Sequence, residues 1–322
     1  MTRYGLTLSS EEHSAPHLVQ VATAAEAAGF DFVSISDHFH PWIREQGHSP
    51  FVWSTLGAIA HATDQIGVGV GVSCPIMRMH PAILAHATAT AAQLLGDRFI
   101  WGVGTGEALN EHVLGDRWPP ADVRLEMLEE AIGLIRHLWE GDSVTHRGRY
   151  FTVEDASIFD RPDPVPPIVV SAFGTGSAQL AAAVGDGLWI TGVQPEVIEA
   201  YRSGGGDGPI WSQFSVCWDE SRGKALERAH RLWPNTALPG QLASDLATVQ
   251  HIEEATQLVK PEDIEDSKMP IGPDLDPILD SISAAEAAGI DFIYLHQIGD
   301  PLDGFIEFCN GQLLPQLQRA SA

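Results

Sequence analysis

The feature that most constrains this 322-residue chain is an alternation of short apolar runs with longer segments of helical periodicity. Most of the runs are apolar throughout, as is typical of parallel strands covered on both faces. Eight of them have the length of β-strands, and they span residues 4–9, 31–36, 66–72, 98–104, 167–173, 187–191, 210–217 and 290–296. Eight such units predict an α/β fold, a closed (β/α)8 barrel of the TIM type, rather than an open doubly wound sheet.

The segments between the apolar runs have the spacing of helices. A helix is predicted over residues 15–28, where Gly29 ends it, and another begins at Pro81, which suits a first helical turn. A strongly amphipathic helix is predicted over residues 121–139, and a last helix near residues 304–317. These helices supply the outer layer that a parallel barrel requires.

Two segments interrupt the alternation. Residues 140–166 contain a predicted hairpin, with residues 144–149 paired to residues 150–153. Residues 234–273 carry Pro, Asp and Glu with weak periodicity, between the seventh and eighth units. Insertions after barrel strands lie over the catalytic face and often form lids, although a surface excursion without function is the alternative. We predict one domain over residues 1–322 with insertion segments over the C-terminal face.

The charge balance argues against two classes of partner. The chain has 43 acidic and 18 basic residues, and the resulting net charge of −25 disfavours nucleic acid and anionic membrane surfaces. No apolar run reaches membrane-spanning length, and the N-terminus lacks the pattern of a signal peptide. The three cysteines are too scattered for a disulfide framework. We therefore expect a cytoplasmic protein that acts on a small molecule, and exposed apolar helices would suit a homodimer.

The second predicted strand leads directly into Asp37, His38, His40 and Trp42. In TIM barrels the active site lies at the C-terminal ends of the strands, and histidine beside a carboxylate is a natural proton shuttle there. Successive residues of an extended segment point in different directions. No metal site is therefore predicted from this motif.

The third and fourth predicted strands end in small residues. The glycines around Gly106 allow a ligand to approach the backbone, and Glu107 and Asn110 project from the same turn. The pattern is neither the Rossmann fingerprint nor a Walker motif. A strained or cis peptide is plausible at the end of the third strand. Cys74, which follows it, is expected to be a wall residue rather than a nucleophile.

The fifth predicted strand ends at Phe173 and leads through Gly174, Gly176 and Ser177 into a helix. Exposed amides at a helix N-terminus bind anions, and many barrels hold a phosphate after a late strand. The segment predicts a phosphate site, and the alternative is an ordinary glycine-rich turn with a helix cap.

Three strings together, residues 36–42, 104–111 and 183–187, resemble the F420-dependent branch of the bacterial luciferase-like oxidoreductases. The resemblance is strongest to the F420-dependent glucose-6-phosphate dehydrogenase group, and His296 on the last strand also matches it. It runs from residue 4 to residue 317 and is weakest over residues 234–273. It implies a barrel enzyme that transfers a hydride between the deazaflavin coenzyme F420 and a substrate carbon.

The resemblance also implies roles for individual residues. Asp37 would contact the deazaflavin, His38 and Glu107 would form the acid–base pair, and Trp42 would lie beside the transferred hydride. We assign the substrate proton to His38 and the cofactor proton to Glu107, and the reverse assignment stays open. The other implied cofactor residues are Val72, Cys74, Thr105, Gly106, Asn110, Phe173, Gly174, Gly176 and Ser177.

One departure from the family pattern bears on the substrate. In the glucose-6-phosphate enzymes two lysines and an arginine hold the sugar phosphate. The matching positions here fall near Gln194, near Ala243 and at about Ser267, which Lys268 follows. The threonine of the family's substrate site remains as Thr191. One hydroxyl cannot replace this phosphate clamp of three cations in a chain of net charge −25. We therefore expect a neutral alcohol, an unphosphorylated sugar or a ketone as substrate, with Thr191 and Gln194 beside it.

Three other functions remain open from the sequence. An FMN-dependent monooxygenase of the same superfamily would use oxygen chemistry, in which an acid–base pair is less central. A reductase that uses reduced F420 would run the same transfer in the opposite direction. A cofactor-binding protein without turnover would have no need of His38 and Glu107.

Overall fold

The structure is a computed structural model that describes residues 2–238 and 240–320. Eight parallel strands close into a barrel, and in order around it they are β1 (Arg3–Leu8), β2 (Phe32–Ile35), β3 (Gly67–Ser73), β4 (Phe99–Val103), β7 (Ile168–Ser171), β8 (Gly187–Thr191), β9 (Ile210–Val216) and β10 (Phe292–Gln297). The predicted (β/α)8 barrel is confirmed, and each predicted strand is present with ends shifted by at most two residues. The first and last strands, β1 and β10, pair to close the barrel.

Helices connect the strands and cover the outside of the barrel. The α-helices are α1 (Ala15–Ala28), α2 (Val52–Ala62), α3 (Pro81–Leu95), α4 (Ala108–Glu111), α5 (Ala121–Glu140), α6 (Thr175–Val184), α7 (Pro195–Ser203), α8 (Arg222–Leu232), α9 (Leu242–Asp245), α10 (Val249–Thr256), α11 (Pro261–Asp266), α12 (Asp276–Ala287), α13 (Leu302–Phe308) and α14 (Leu314–Ala320). The short turns of 3₁₀ or π helix are Gly96–Arg98, His112–Leu114, Pro234–Ala237 and Cys309–Leu313. The predicted end of α1 is confirmed, because Gly29 follows it with a φ of 90°.

Aromatic rings fill the inside of the barrel. Trp189 and Trp211 stack with their ring centroids 5.1 Å apart, and Phe32 meets Trp211 edge-on at 4.9 Å. This packing explains the glycines of β3, since a Cβ on Gly71 would lie 2.5 Å from Trp189 Cζ2. The interior is therefore a packed core, and a ligand site must lie at one end of the barrel.

The predicted hairpin is present, but its second strand begins later than expected. β5 (Val144–Arg147) pairs antiparallel with β6 (Thr152–Ala156), and residues 148–151 form the turn. The carboxylate of Glu130 on α5 accepts hydrogen bonds from the backbone N–H groups of Tyr150 and Phe151. These bonds draw residues 150 and 151 out of the strand, so the predicted strand over residues 150–153 was placed too early.

The segment 234–273 lies against the C-terminal end of the barrel. Ile252 on α10 packs with Ile43 and Leu109, which follow β2 and β4. At its far end, the backbone N–H of Cys217 donates to the carbonyl of Pro270. The segment therefore covers part of the barrel face on which the polar strand ends lie.

Candidate active site

A buried arginine organises the polar groups at the ends of β2, β3 and β4. Arg78 follows β3, and its Nη2 lies 2.9 Å from Asp37 Oδ1. Its Nε lies 3.4 Å from Glu111 Oε1, while its backbone N–H donates to Glu111 Oε2. Burial opposes the charged guanidinium, but the two carboxylates outweigh this effect and raise the pKa of Arg78. Arg78 thus joins the motif after β2 to the motif after β4.

Asp37 has one carboxylate oxygen available for a further contact. Its side chain is buried, and Oδ1 is bound by Arg78. Oδ2 has no hydrogen-bond partner among the described residues. A buried acceptor without a partner is costly, so this oxygen is where a bound group could supply a donor.

Asn110 connects the two predicted catalytic motifs. Its Oδ1 accepts hydrogen bonds from the backbone N–H groups of Phe39 at 2.9 Å and His40 at 3.1 Å. Its Nδ2 donates to Glu107 Oε2 at 3.4 Å. The predicted pair of His38 and Glu107 is therefore linked through the loop backbone and Asn110, and no direct hydrogen bond joins the two side chains within residues 2–238.

His38 is held by a carboxylate that the sequence analysis did not single out. Glu11 Oε1 lies 3.4 Å from His38 Nε2, and Glu11 Oε2 accepts hydrogen bonds from the hydroxyls of Ser9 and Ser36. His38 Nδ1 lies 3.2 Å from the His40 carbonyl. Glu11 follows β1 directly, so the rule that located the motifs after β2 and β4 would have found it as well.

Trp42 lies next to the imidazole of His38. The two ring centroids are 5.2 Å apart, with the ring planes tilted by 59°. The indole is also in contact with the apolar clusters formed with the segment 234–273. The insertion thus contributes to the side of the site that Trp42 occupies.

The residues predicted to line the cofactor ring lie at the end of β3 and in the neighbouring turns after β3 and β4. The Gly71–Val72 peptide is cis, and the register between β3 and β4 shifts at this point. A Cβ on Gly106 would lie 2.7 Å from the buried Cys74 sulfur, and Gly106 has a φ of 69°. Burial raises the pKa of Cys74, so its side chain is a thiol, as expected of a wall residue. Thr105 lies half-buried in the same turn.

The predicted phosphate site coincides with the N-terminus of α6. Ser177 Oγ accepts a hydrogen bond from the Gly174 N–H and donates one to the Gly174 carbonyl. A Cβ placed on Gly174 would meet nothing within 4 Å, and one on Gly176 would lie 3.8 Å from Leu125 Cδ1. Phe173 is 70% exposed beside it. The helix end therefore has free space before its amides, as an anion site requires.

Thr191 and Gln194 lie together at the C-terminal end of β8. Gln194 Nε2 donates to the Thr191 carbonyl at 2.9 Å. Ser267 and Lys268 are exposed at the end of α11, and Ser267 Oγ donates to a carbonyl of its own helix. The positions that match the phosphate clamp thus present an amide, a methyl group and a hydroxyl, with Lys268 as the neighbouring cation.

The titratable groups and the start of α6 lie at the C-terminal end of a closed parallel barrel. (β/α)8-barrel enzymes have their active sites at this end. The family model described as luciferase-like monooxygenase matches residues 1–292. The chain therefore belongs to the luciferase-like monooxygenase family, which confirms the resemblance read from the motifs. No helix among the described residues is long and apolar enough to cross a membrane.

Three relatives place the chain within this family. It is 32% identical over 335 residues to the F420-dependent glucose-6-phosphate dehydrogenase of Microbacterium testaceum strain StLB037, covering 99% of this chain and 98% of the relative. It is 36% identical over 327 residues to the F420-dependent hydroxymycolic acid dehydrogenase of Mycobacterium tuberculosis, covering 98% and 88%. The structure of an F420-dependent secondary alcohol dehydrogenase in complex with an F420–acetone adduct matches with a TM-score of 0.90 at 28% identity, covering 97% and 98%.

Proposed function

We propose that the protein is an F420-dependent oxidoreductase that transfers a hydride between coenzyme F420 and the alcohol carbon of a non-phosphorylated substrate. The observation that carries the proposal is the presence of two separate titratable groups on one barrel face, His38 beside Glu11 and Glu107 beside Asn110. The relatives described above are F420-dependent dehydrogenases of a sugar phosphate, a hydroxymycolic acid and a secondary alcohol. Such dehydrogenases need both a base for the substrate and an acid for the cofactor.

The residues present fit a deazaflavin with a phosphorylated tail. Asp37 Oδ2 is a buried acceptor without a partner, which suits a donor on a ring system. The open N-terminus of α6 at Gly174 suits a phosphate. When bound, F420 accepts or donates the hydride at its C5 atom. We assign Val72, Cys74, Thr105 and Gly106 to the wall behind the ring.

The contacts of His38 support its role as the base for the substrate hydroxyl. Nδ1 lies 3.2 Å from the His40 carbonyl. Nε2 is the nitrogen that lies 3.4 Å from Glu11. The Glu11 carboxylate would stabilise the imidazolium that forms when His38 takes up a proton, as the aspartate of a catalytic triad stabilises its histidine.

The charge of the site favours a neutral substrate. The positions that match the phosphate clamp fall near Gln194, near Ala243 and at about Ser267, so at most one cation, Lys268, remains of the three. A phosphorylated substrate would also have to approach a protein of net charge −25. We therefore propose a secondary alcohol or an unphosphorylated sugar for oxidation, or the corresponding ketone for the reverse reaction.

We propose a single-domain cytoplasmic protein that forms a homodimer. The three free thiols suit a reducing compartment, and Ile83 and Leu94 are exposed three turns apart on one face of α3. Light scattering of the purified protein gives the oligomeric mass directly, and a monomer would contradict the homodimer.

A titration of the purified protein with F420 and with FMN tests the cofactor. We expect F420 to bind in the micromolar range or tighter, followed by the change in deazaflavin fluorescence, and FMN to bind at least tenfold more weakly. Asp37→Asn should weaken F420 binding, whereas the exposed Asp122→Asn should leave it unchanged. Tight FMN binding without affinity for F420 would assign the protein to the monooxygenases and remove the support for both proton-transfer roles.

A further inference from the structure

A second group of ligating side chains lies outside the active site, where the loop after β1 meets the loop after β10. His13, His17 and Asp300 each offer one ligand atom, and these atoms all lie within 4.8 Å of one another. His13 precedes α1 and His17 is in its first turn, with the two ring centroids 4.9 Å apart. The spacing of four residues brings both imidazoles to one side of the helix start.

His13 is buried without a partner for one ring nitrogen. The residue is 7% exposed, and its Nε2 has no hydrogen-bond partner among the described residues. An imidazole nitrogen that has no hydrogen-bond partner is able to bind a metal ion.

The surroundings can accept a cation. The group borders a cavity of about 390 Å³ whose lining includes His13, Asp300 and Glu12. Three cationic side chains line the same cavity, which are Lys224, Arg228 and Arg231, but five carboxylates line it as well. Arg228 pairs with one of these carboxylates and Arg231 with another. Asp300 is exposed, so an ion can reach the group from solvent.

We propose that His13, His17 and Asp300 bind a Zn²⁺ ion, with a remaining coordination position open to the cavity. Two imidazoles and a carboxylate are ligands that zinc accepts, and such sites leave a position for water. Tetrahedral zinc with bonds of about 2.0–2.1 Å brings its ligand atoms to about 3.3 Å from one another. The ligand atoms, which lie within 4.8 Å of one another here, must therefore move closer together to bind the ion. Rotation of the His17 and Asp300 side chains, which are not packed in the core, allows this movement.

The position of the group gives the ion a structural effect. β1 and β10 pair to close the barrel, and the ion joins the loops that follow these two strands. Where β1 and β10 meet, the Glu12 carboxylate also accepts hydrogen bonds from the Gly299 N–H and from His296 Nε2, both at 2.9 Å. Zinc binding should therefore stabilise the folded protein, independently of F420 and substrate.

Metal titration of the chelator-treated protein tests the site. We expect one equivalent of Zn²⁺ to bind by calorimetry, Co²⁺ to give the absorption of a tetrahedral site, and Zn²⁺ to raise the melting temperature. His17→Gln and Asp300→Asn should each weaken binding by about tenfold or more, which matches the loss of one ligand in a three-ligand site. His86→Gln, which changes an exposed histidine on α3, is the matched control and should bind as the wild type does.

Two results would overturn the proposal. One is the absence of stoichiometric Zn²⁺ and Co²⁺ binding to the wild-type protein. The other is wild-type affinity in both His17→Gln and Asp300→Asn. Because neither residue belongs to the core, circular dichroism should show both variants folded, so a change in affinity reports on the ligands themselves.

Discussion

At the scale of single residues, the contact between Glu11 and His38 sets how the site can move a proton. The imidazole has one ring nitrogen at the His40 carbonyl and the other at the Glu11 carboxylate. Two serine hydroxyls hold the far oxygen of Glu11, from Ser9 and Ser36. We therefore propose that Glu11 positions His38, the proposed base, and is not the base itself.

Replacing Glu11 by Gln should lower kcat by about 10- to 100-fold, because the imidazolium formed during turnover loses its neighbouring charge. Removing the base itself, in His38→Ala, should cost about 10²–10⁴-fold. The Kd for F420 should stay within about twofold in both variants. Steady-state kinetics together with the cofactor titration separate the two effects.

The exposed Glu129→Gln is the matched control for that substitution and should retain wild-type kcat. An equal loss of kcat and of F420 affinity in Glu11→Gln would mean that Glu11 only maintains the shape of the site. Unchanged kcat would remove Glu11 from the proton transfer altogether.

At the scale of elements, the hairpin of β5 and β6 depends on one carboxylate of α5. Glu130 accepts hydrogen bonds from the N–H groups of Arg149, Tyr150 and Phe151, and it lies 3.1 Å from His146 Nε2. Burial works against the charged form, but these donors outweigh it and lower the pKa of Glu130 from its ordinary value of 4.5. The charged carboxylate therefore contributes stability to the folded state.

Glu130→Gln should lower the free energy of unfolding by about 1–3 kcal/mol at pH 7, because backbone donors lose a charged acceptor. A carboxyl with a lowered pKa stabilises the fold above its unfolded value and loses that contribution as pH falls through the folded pKa. The difference between variant and wild type should therefore shrink below about pH 4.5. Urea unfolding at several pH values measures the free energy of unfolding of both proteins. A difference between them that does not change with pH would contradict the role of the charged Glu130 carboxylate.

Patterns within single elements explain which parts of the fold could be predicted. The strands were found because apolar runs mark them, and α1 because Gly29 stops it. The second strand of the hairpin was misplaced because its start depends on Glu130, whose contacts span about 20 residues. No local pattern contains that information.

At the scale of the whole molecule, the barrel brings together groups that are far apart in the sequence. The motifs after β2 and β4 were predicted to meet because parallel strands end on one face. Arg78, which joins them, and the bond between Glu12 and His296 across 284 residues could not be predicted. These contacts depend on the register in which the barrel closes and on side-chain directions, which a sequence pattern does not specify.

The whole charge distribution also decides what the site can hold. With a net charge of −25, and with Lys268 as the one cation beside the three positions that match the phosphate clamp, we expect the substrate side of the site to bind a sugar phosphate weakly. We therefore expect oxidation of a neutral alcohol by F420.

The most direct test is the rate at which oxidised F420 loses its absorbance with a secondary alcohol, glucose and glucose 6-phosphate as alternative substrates. We expect turnover with a neutral substrate at a kcat/KM about tenfold or more above that for the phosphorylated sugar, because fixed cations are needed to hold a phosphate. Preference for glucose 6-phosphate would contradict the neutral-substrate claim, and no reduction of F420 with any alcohol or sugar would contradict the proposed function itself.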